Sequence, residues 1–312
     1  MKQKNFVSCV VYMHNDESKI IPFMSTVHEV MKEQFENYEI ICVDDASIDD
    51  TVEELQKYIA QTEKIASVSL VRMSYYQGQE AAMNAGRDLA VGDFVFEFDS
   101  ATVDYAPELI MELYEKSLEG FDVVAAVPKN HISFSSRLFY LMYNWANKAP
   151  NKLQQERFRI LSRRAINRVN QLNSYVPYRK AMYVNCGLNM ESIYYTSTSK
   201  VSKGRSTQEK MNRSDLAFDS FIIFTDILEK ISMFLCGFFL LVMVVMAVYV
   251  VWSVFSEVRP VEGWMSTIGL ISFGFFGLFL LLTLILKYLA VILNLVFRKQ
   301  RYIVSGIEKL TK

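Results

Sequence analysis

The sequence predicts an α/β domain built on a mostly parallel sheet, followed by an apolar helical end. Three observations carry this: strand-like and helix-like segments alternate through the first 128 residues, acidic residues gather just after the strand-like segments, and the last third contains long uncharged runs. Charge is segregated in the same way. Residues 1–128 hold 9 Lys and Arg against 24 Asp and Glu, residues 129–230 hold 17 against 7, and residues 231–312 hold 7 against 3. With 22 Phe and 17 Tyr but only 12 Gly and 6 Pro, the chain is neither disordered nor collagen-like.

The elements follow in order. Short runs rich in Val, Ile and Phe predict strands at Phe6–Met13, Tyr38–Val43, Val68–Arg72, Phe94–Phe98 and Asp122–Val127. Helical periodicity fills the gaps at Ser18–Asn37, Thr51–Gln61, Gly78–Ala90 and Pro107–Glu119. The first run is too short to span a membrane and has no small-residue cleavage site, so it is not a signal peptide. Cys9, Cys42, Cys186 and Cys236 have no metal-site spacing and read as reduced packing residues, and the three histidines are scattered.

Further on, Ser135–Lys148 and Lys210–Phe224 have amphipathic patterns suited to a membrane surface or to packing on the sheet. Glu156–Asn173 reads as a helix with five arginines on one side. Ile231–Phe255 has no charged residue and Met265–Phe297 has only Lys287, so two transmembrane helices are expected. Basic residues after the second span, against a single Arg259 in the link, put the tail and the N-terminal region in the cytoplasm, anchored to the inner (plasma) membrane. The expected layout is therefore a domain over 1–209, a juxtamembrane helix over 210–230, two spans within 231–297 and a basic tail over 298–312.

In a parallel sheet, ligands bind at the carboxyl ends of the strands. Asn15-Asp16-Glu17, Asp44-Asp45 and Asp99 occupy those positions. No Gly-rich dinucleotide loop follows the first strand and no Walker-type phosphate loop is present, which excludes ordinary NAD and ATP folds. Paired carboxylates such as Asp44 and Asp45 can accept hydrogen bonds from a uracil or guanine edge and a ribose. An Asp such as Asp99 can hold a divalent cation against a diphosphate. Ser47, Asp49 and Asp50 read as a turn and cap for the helix beginning at Thr51.

The order "VVYMHNDE", "IICVDDASIDDT", "GQEAAMNAGRDLAVGDFVFEFD" and "APELI", followed by two apolar spans and "KQRYIVSGIEKL", resembles family 2 glycosyltransferases of the GT-A fold. Within them it is similar to the polyisoprenyl-phosphate group, which includes dolichol-phosphate mannose synthase and bactoprenol glucosyltransferase. The resemblance implies transfer of one sugar from a UDP- or GDP-linked donor to a polyprenyl phosphate on the cytoplasmic leaflet, by inverting single displacement. It implies nucleotide binding by Asp44, Asp45 and Glu17, a catalytic role for Asp99 and Arg159, and acceptor-phosphate binding by Lys200 and Arg205. A Mg²⁺ or Mn²⁺ ion would be held by Asp99 with Glu97. The expected partners are the nucleotide-sugar, the polyprenyl phosphate and the lipid bilayer, without nucleic acid, and a homo-oligomer is compatible with the sequence.

Several positions depart from the family pattern. Ala101 stands where a second Asp of the metal motif belongs, and Tyr75-Tyr76-Gln77 stands where Arg-Asn usually precedes Gly78. These departures favour a second reading, a non-catalytic relative that binds lipid phosphate or a partner enzyme. Retention of Asp44, Asp45, Asp99 and the basic stretch opposes it.

Overall fold

The computed structural model describes residues 2–62, 67–130, 134–147, 149–171, 178–198, scattered positions from 230 to 252, 264–297 and 302–311. The chain divides into two compact units, one of residues 1–220 together with 298–312, the other of residues 221–297.

The first unit is a three-layer α/β/α domain. Its strands are β1 (Val7–Met13), β2 (Tyr38–Asp44), β3 (Ser67–Met73), β4 (Phe94–Phe98), β5 (Val123–Pro128), β6 (Phe158–Ser162), β7 (Met190–Tyr195) and β8 (Val304–Lys309). Its helices are α1 (Glu17–Gln34), α2 (Thr51–Gln61), α3 (Gln79–Leu89), α4 (Glu108–Leu118), α5 (Phe134–Ala146), α6 (Arg163–Gln171) and α7 (Arg179–Asn185). The strands lie in the order β7-β5-β6-β4-β1-β2-β3-β8. Neighbours β1–β2, β2–β3, β1–β4 and β5–β7 are parallel, whereas β6 and β8 run antiparallel to their neighbours.

Two-residue alternation of the strands explains the layers. Cys9, Val11 and Met13 of β1 face one apolar cluster with Phe23 and Met24 of α1, Leu55 of α2 and Ile110 of α4. Val10 faces the other cluster, with Met83 and Ala85 of α3, Ile166 of α6 and Met182 of α7. Gly86 lets α3 lie close on the sheet, because a Cβ there would meet Val10 Cγ1 at 2.4 Å and Val43 Cγ2 at 2.6 Å. Cys9, Cys42 and Cys186 are buried free thiols, as expected of packing residues.

The chain runs outward from β1 to β2 and β3, then crosses to β4 on β1's other side. This reversal between β1 and β4 is the switch point at which doubly wound sheets open a crevice at their carboxyl edge.

Two expectations need correction. Glu156–Asn173 is not one helix: Phe158–Ser162 is strand β6, paired with β4 and β5, and only Arg163–Gln171 is helical. Residues expected as a basic tail include β8, an edge strand antiparallel to β3. Its side chains are only partly covered, so its hydrophobic signal is weak, and pairing with β3 stabilises it.

In the second unit a 34-residue helix, α8 (Trp264–Phe297), has Lys287 as its only charged residue. Phe273 of α8 lies 5.3 Å from Phe239 and 6.4 Å from Phe238, ring centroid to centroid. Counting only residues whose side chains are described, no helix is long and apolar enough to cross a membrane. The amphipathic segment expected at 210–224 and the link at 256–263 lie outside the described residues.

Candidate functional site

The carboxyl edge of β1, β2 and β4 carries two carboxylate centres of different construction. Asp44 and Asp99 are separated by β1, so at about 4.8 Å per strand they stand roughly 10 Å apart.

The first centre is built by loops. Asp45 is fully buried, and its carboxylate accepts the backbone N–H groups of Gln77 and Gly78, both at 2.8 Å, and the Tyr12 hydroxyl at 3.2 Å. Gly78 reaches this position at φ 89°, in the left-handed region open to glycine. Burial pushes the Asp45 carboxyl above its ordinary value, against the lowering effect of these donors. Asp45 therefore holds the loop before α3 instead of presenting a free carboxylate. Asp44 lies beside it, accepting the Ser47 N–H at 3.2 Å through Oδ1. Asn15 and Ala46 both have positive φ, 53° and 55°, so the turns after β1 and β2 are strained where they meet. They are tied together by Asn15 N–H to Ser47 Oγ (3.1 Å), Ile48 N–H to Asn15 Oδ1 (2.9 Å) and a His14 Nδ1 contact with the Asp45 carbonyl (2.8 Å). Glu17 sits exposed at the start of α1, where its backbone N–H donates to Asp49.

The second centre is a buried ion-pair network. Antiparallel pairing of β4 with β6 sets Glu97 directly opposite Arg159. Arg159 donates to Glu97 (2.7 Å), Asp99 (2.8 Å) and Glu156 (2.8 Å). Arg179, at the start of α7, donates to Glu80 (2.9 Å), Glu97 (2.7 Å) and Asp99 (3.0 Å). Lys180 adds a third cation 3.0 Å from Asp99 and also donates to the Glu156 carbonyl at 2.8 Å. The Tyr183 hydroxyl donates to Glu97 at 2.9 Å and accepts from Arg87 at 3.0 Å. Burial alone would push the Asp99 and Glu97 carboxyls up, but the surrounding cations outweigh it and hold both below the ordinary carboxylate range. The same carboxylates hold Arg159 above its ordinary value in spite of burial.

This donor set does not fit a divalent cation held by Asp99 and Glu97. Every oxygen of the pair already accepts a hydrogen bond from a cation or from Tyr183. Ala101, at the position of the second motif carboxylate, is 1% exposed and belongs to the apolar cluster under the sheet. Glu97 is thus a counter-charge inside the sheet, where an isolated carboxylate would be costly. Among the described residues no group of three or more His, Cys, Asp or Glu is placed to hold a metal ion.

Of the predicted site residues, Asp44, Asp45 and Glu17 gather at the β1–β2 end of the edge, and Asp99, Glu97 and Arg159 at the β4 end. Lys200 and Arg205 lie outside the described residues. Sequence reasoning gave no role to Lys180, Glu80, Glu156 or Tyr183. The available signal was Glu97, a charge in an otherwise apolar strand, which demands buried partners. Beyond β5, Lys129, Arg137, Tyr140 and Gln155 line a cleft of about 410 Å³.

The sequence profile described as glycosyl transferase family 2 matches residues 8–182. An uncharacterized glycosyltransferase of Synechocystis is 28% identical over 195 residues, covering 61% of this chain and 60% of that protein. An undecaprenyl-phosphate 4-deoxy-4-formamido-L-arabinose transferase of Aeromonas hydrophila is 35% identical over 148 residues, covering 47% of this chain and 41% of that one. The chain thus spans about 60% or less of the length of these relatives. Among solved structures, a mannosyltransferase of Pyrobaculum calidifontis, crystallised with GDP-mannose and Mn²⁺, shares the fold. It has a TM-score of 0.53 and 13% identity, covering 95% of this chain and 88% of that one. Fold, sheet-edge geometry and profile agree: the chain belongs to glycosyl transferase family 2.

Proposed function

We propose that the protein transfers one sugar from a nucleotide-sugar to a polyprenyl phosphate of the undecaprenyl or dolichyl type at the cytoplasmic leaflet of a membrane. The observation that carries this reading is the pairing, across the β1–β4 switch point, of the Asp44 loop with the Asp99 network. Their spacing suits a nucleoside at one end and a diphosphate at the other. Relatives named as undecaprenyl-phosphate transferases support the acceptor class.

In a single displacement, an acceptor phosphate oxygen attacks the anomeric carbon as the bond to the nucleoside diphosphate breaks, inverting that carbon. A phosphate monoester has a second pKa near about 6, so it reaches the site largely ionised and needs little help from a base. The protein's part is then orientation and fixed charge. Lys129 and Arg137, on the wall of the cleft beside β5, suit an acceptor phosphate, alongside the Lys200 and Arg205 expected from the sequence.

Membrane attachment has three supports. At 1.5 Å per residue α8 extends about 51 Å, against roughly 30 Å of bilayer core. Helix α5 exposes Leu138, Leu141, Met142 and Trp145. Strand β8, after the apolar run, pairs with β3, before it, as an even number of crossings would allow.

The full chain in detergent, incubated with a short polyprenyl phosphate and a panel of UDP- and GDP-sugars, should convert at least one donor to glycosyl lipid phosphate and nucleoside diphosphate. No transfer with any donor, while the lipid phosphate still binds, would establish the non-catalytic reading favoured by Ala101.

A further inference from the structure

We infer that Lys180, backed by Arg179, supplies the positive charge for the donor diphosphate, so that nucleotide binding is independent of Mg²⁺ and Mn²⁺. This rests on the proposed glycosyl transfer and names the group that serves its donor.

Four observations converge on it. Asp99 accepts from Arg179 through Oδ1 and from Arg159 and Lys180 through Oδ2, so a metal ion ligated there would sit against three fixed cations. Glu97 has no free oxygen, since Oε2 is shared by both arginines and Oε1 accepts from Tyr183. The carboxylates of Glu80, Glu97, Asp99 and Glu156 are also each paired with Arg159, Arg179 or Lys180, with Arg87 and Asp88, 3.9 Å apart, at the network's outer end. Finally, Ala101 packs into the apolar core, so the position that should complete a metal site offers no donor.

The same network is well made for an anion. Of the three cations around Asp99, Lys180 has the most open side chain, 6% exposed beside Asp99 at 9% and Glu80 at 12%, while the side chains of Arg159 and Arg179 are essentially closed off. Two of the three Lys180 N–H groups go to Asp99 and the Glu156 carbonyl, which leaves the third for a phosphate oxygen. Arg159 and Arg179 grip Asp99 from behind and hold the ammonium's counter-ion in place. A fixed cation in a water-poor setting does there what a mobile ion with its hydration shell does in other sites.

Calorimetry on the full chain in detergent, titrating UDP and GDP in excess EDTA and again in MnCl₂ or MgCl₂, tests this. The expected result is binding of one nucleotide in EDTA, with an affinity that changes by less than about threefold when metal is added. A rise of about tenfold or more with metal overturns the inference and leaves the glycosyltransferase reading standing. Failure of both nucleotides to bind in every condition overturns the functional reading itself.

The role of Lys180 is read separately from the preference for nucleoside diphosphate over the bare nucleoside. Lys180→Met should reduce that preference by about tenfold, the scale of one charge-assisted hydrogen bond. Should that variant not fold, Lys180→Gln keeps a donor for the Glu156 carbonyl while removing the charge, and the same reduction is expected. An unchanged preference in a folded variant rules Lys180 out.

Discussion

Asp45 and Asp99 are the same residue type, at the same edge of the same sheet, in opposite electrostatic settings. Asp45 is satisfied by two backbone N–H groups and a phenol, and burial raises its carboxyl. Asp99, with its side chain 9% exposed, is held down by three cations. Location after a strand therefore does not settle what an acidic residue does. Asp45 organises a loop, and Asp99 organises charges.

The largest way to break this contrast is to remove a cation. Arg159→Met leaves Glu97, Asp99 and Glu156 short of their shared partner, and should lower stability by about 3–5 kcal/mol in urea unfolding. A loss below about 1 kcal/mol, the value of an exposed pair, would mean that the network is not a buried unit.

Acid sharpens the contrast next, because the two carboxylates should act with opposite sign. Asp99 and Glu97 have depressed folded values, so their contribution is present above the unfolded carboxylate pKa and is lost as pH falls below about 4. Asp45 is raised, so its contribution is largest at low pH and is lost as pH rises. Urea midpoints measured from pH 7 to pH 3 should fall steeply at the acid end in the wild type and less steeply in Asp99→Asn. Asp45→Asn should keep the acid fall. Equal flattening in both variants would erase the distinction.

The smallest effect concerns the loop's outer fastening. The Gln77 side chain donates to the Ile303 carbonyl at 2.6 Å and accepts from its N–H at 2.9 Å, while the Gln77 N–H is held by Asp45. Gln77→Ala should cost about 1–2 kcal/mol of local stability, read as faster amide exchange in β8 with little change in α1 or β1. Unchanged exchange in β8 would show that pairing with β3 alone secures it.

The alternation of β1 to β5 with α1 to α4 is legible in the sequence because each element buries its own apolar face at the expected period. The placement of Asp44, Asp45 and Asp99 follows from the same reading, since strand ends define the binding edge. The helical pattern at 156–173 misleads for a definite reason. Its arginines have helical spacing, but Phe158–Leu161 is drawn into the gap between β4 and β5, where Arg159 meets Glu97.

Local sequence thus determined the central parallel strands, their covering helices and the acidic edge. What Asp99 touches was decided by packing over long separations: Arg159 and Arg179 come from 60 and 80 residues further along the chain. Likewise β8 joins β3 more than 230 residues after it. No local period encodes such contacts. They arise because a buried charge must find its counter-charge and an open sheet edge can be capped by any strand the fold brings beside it.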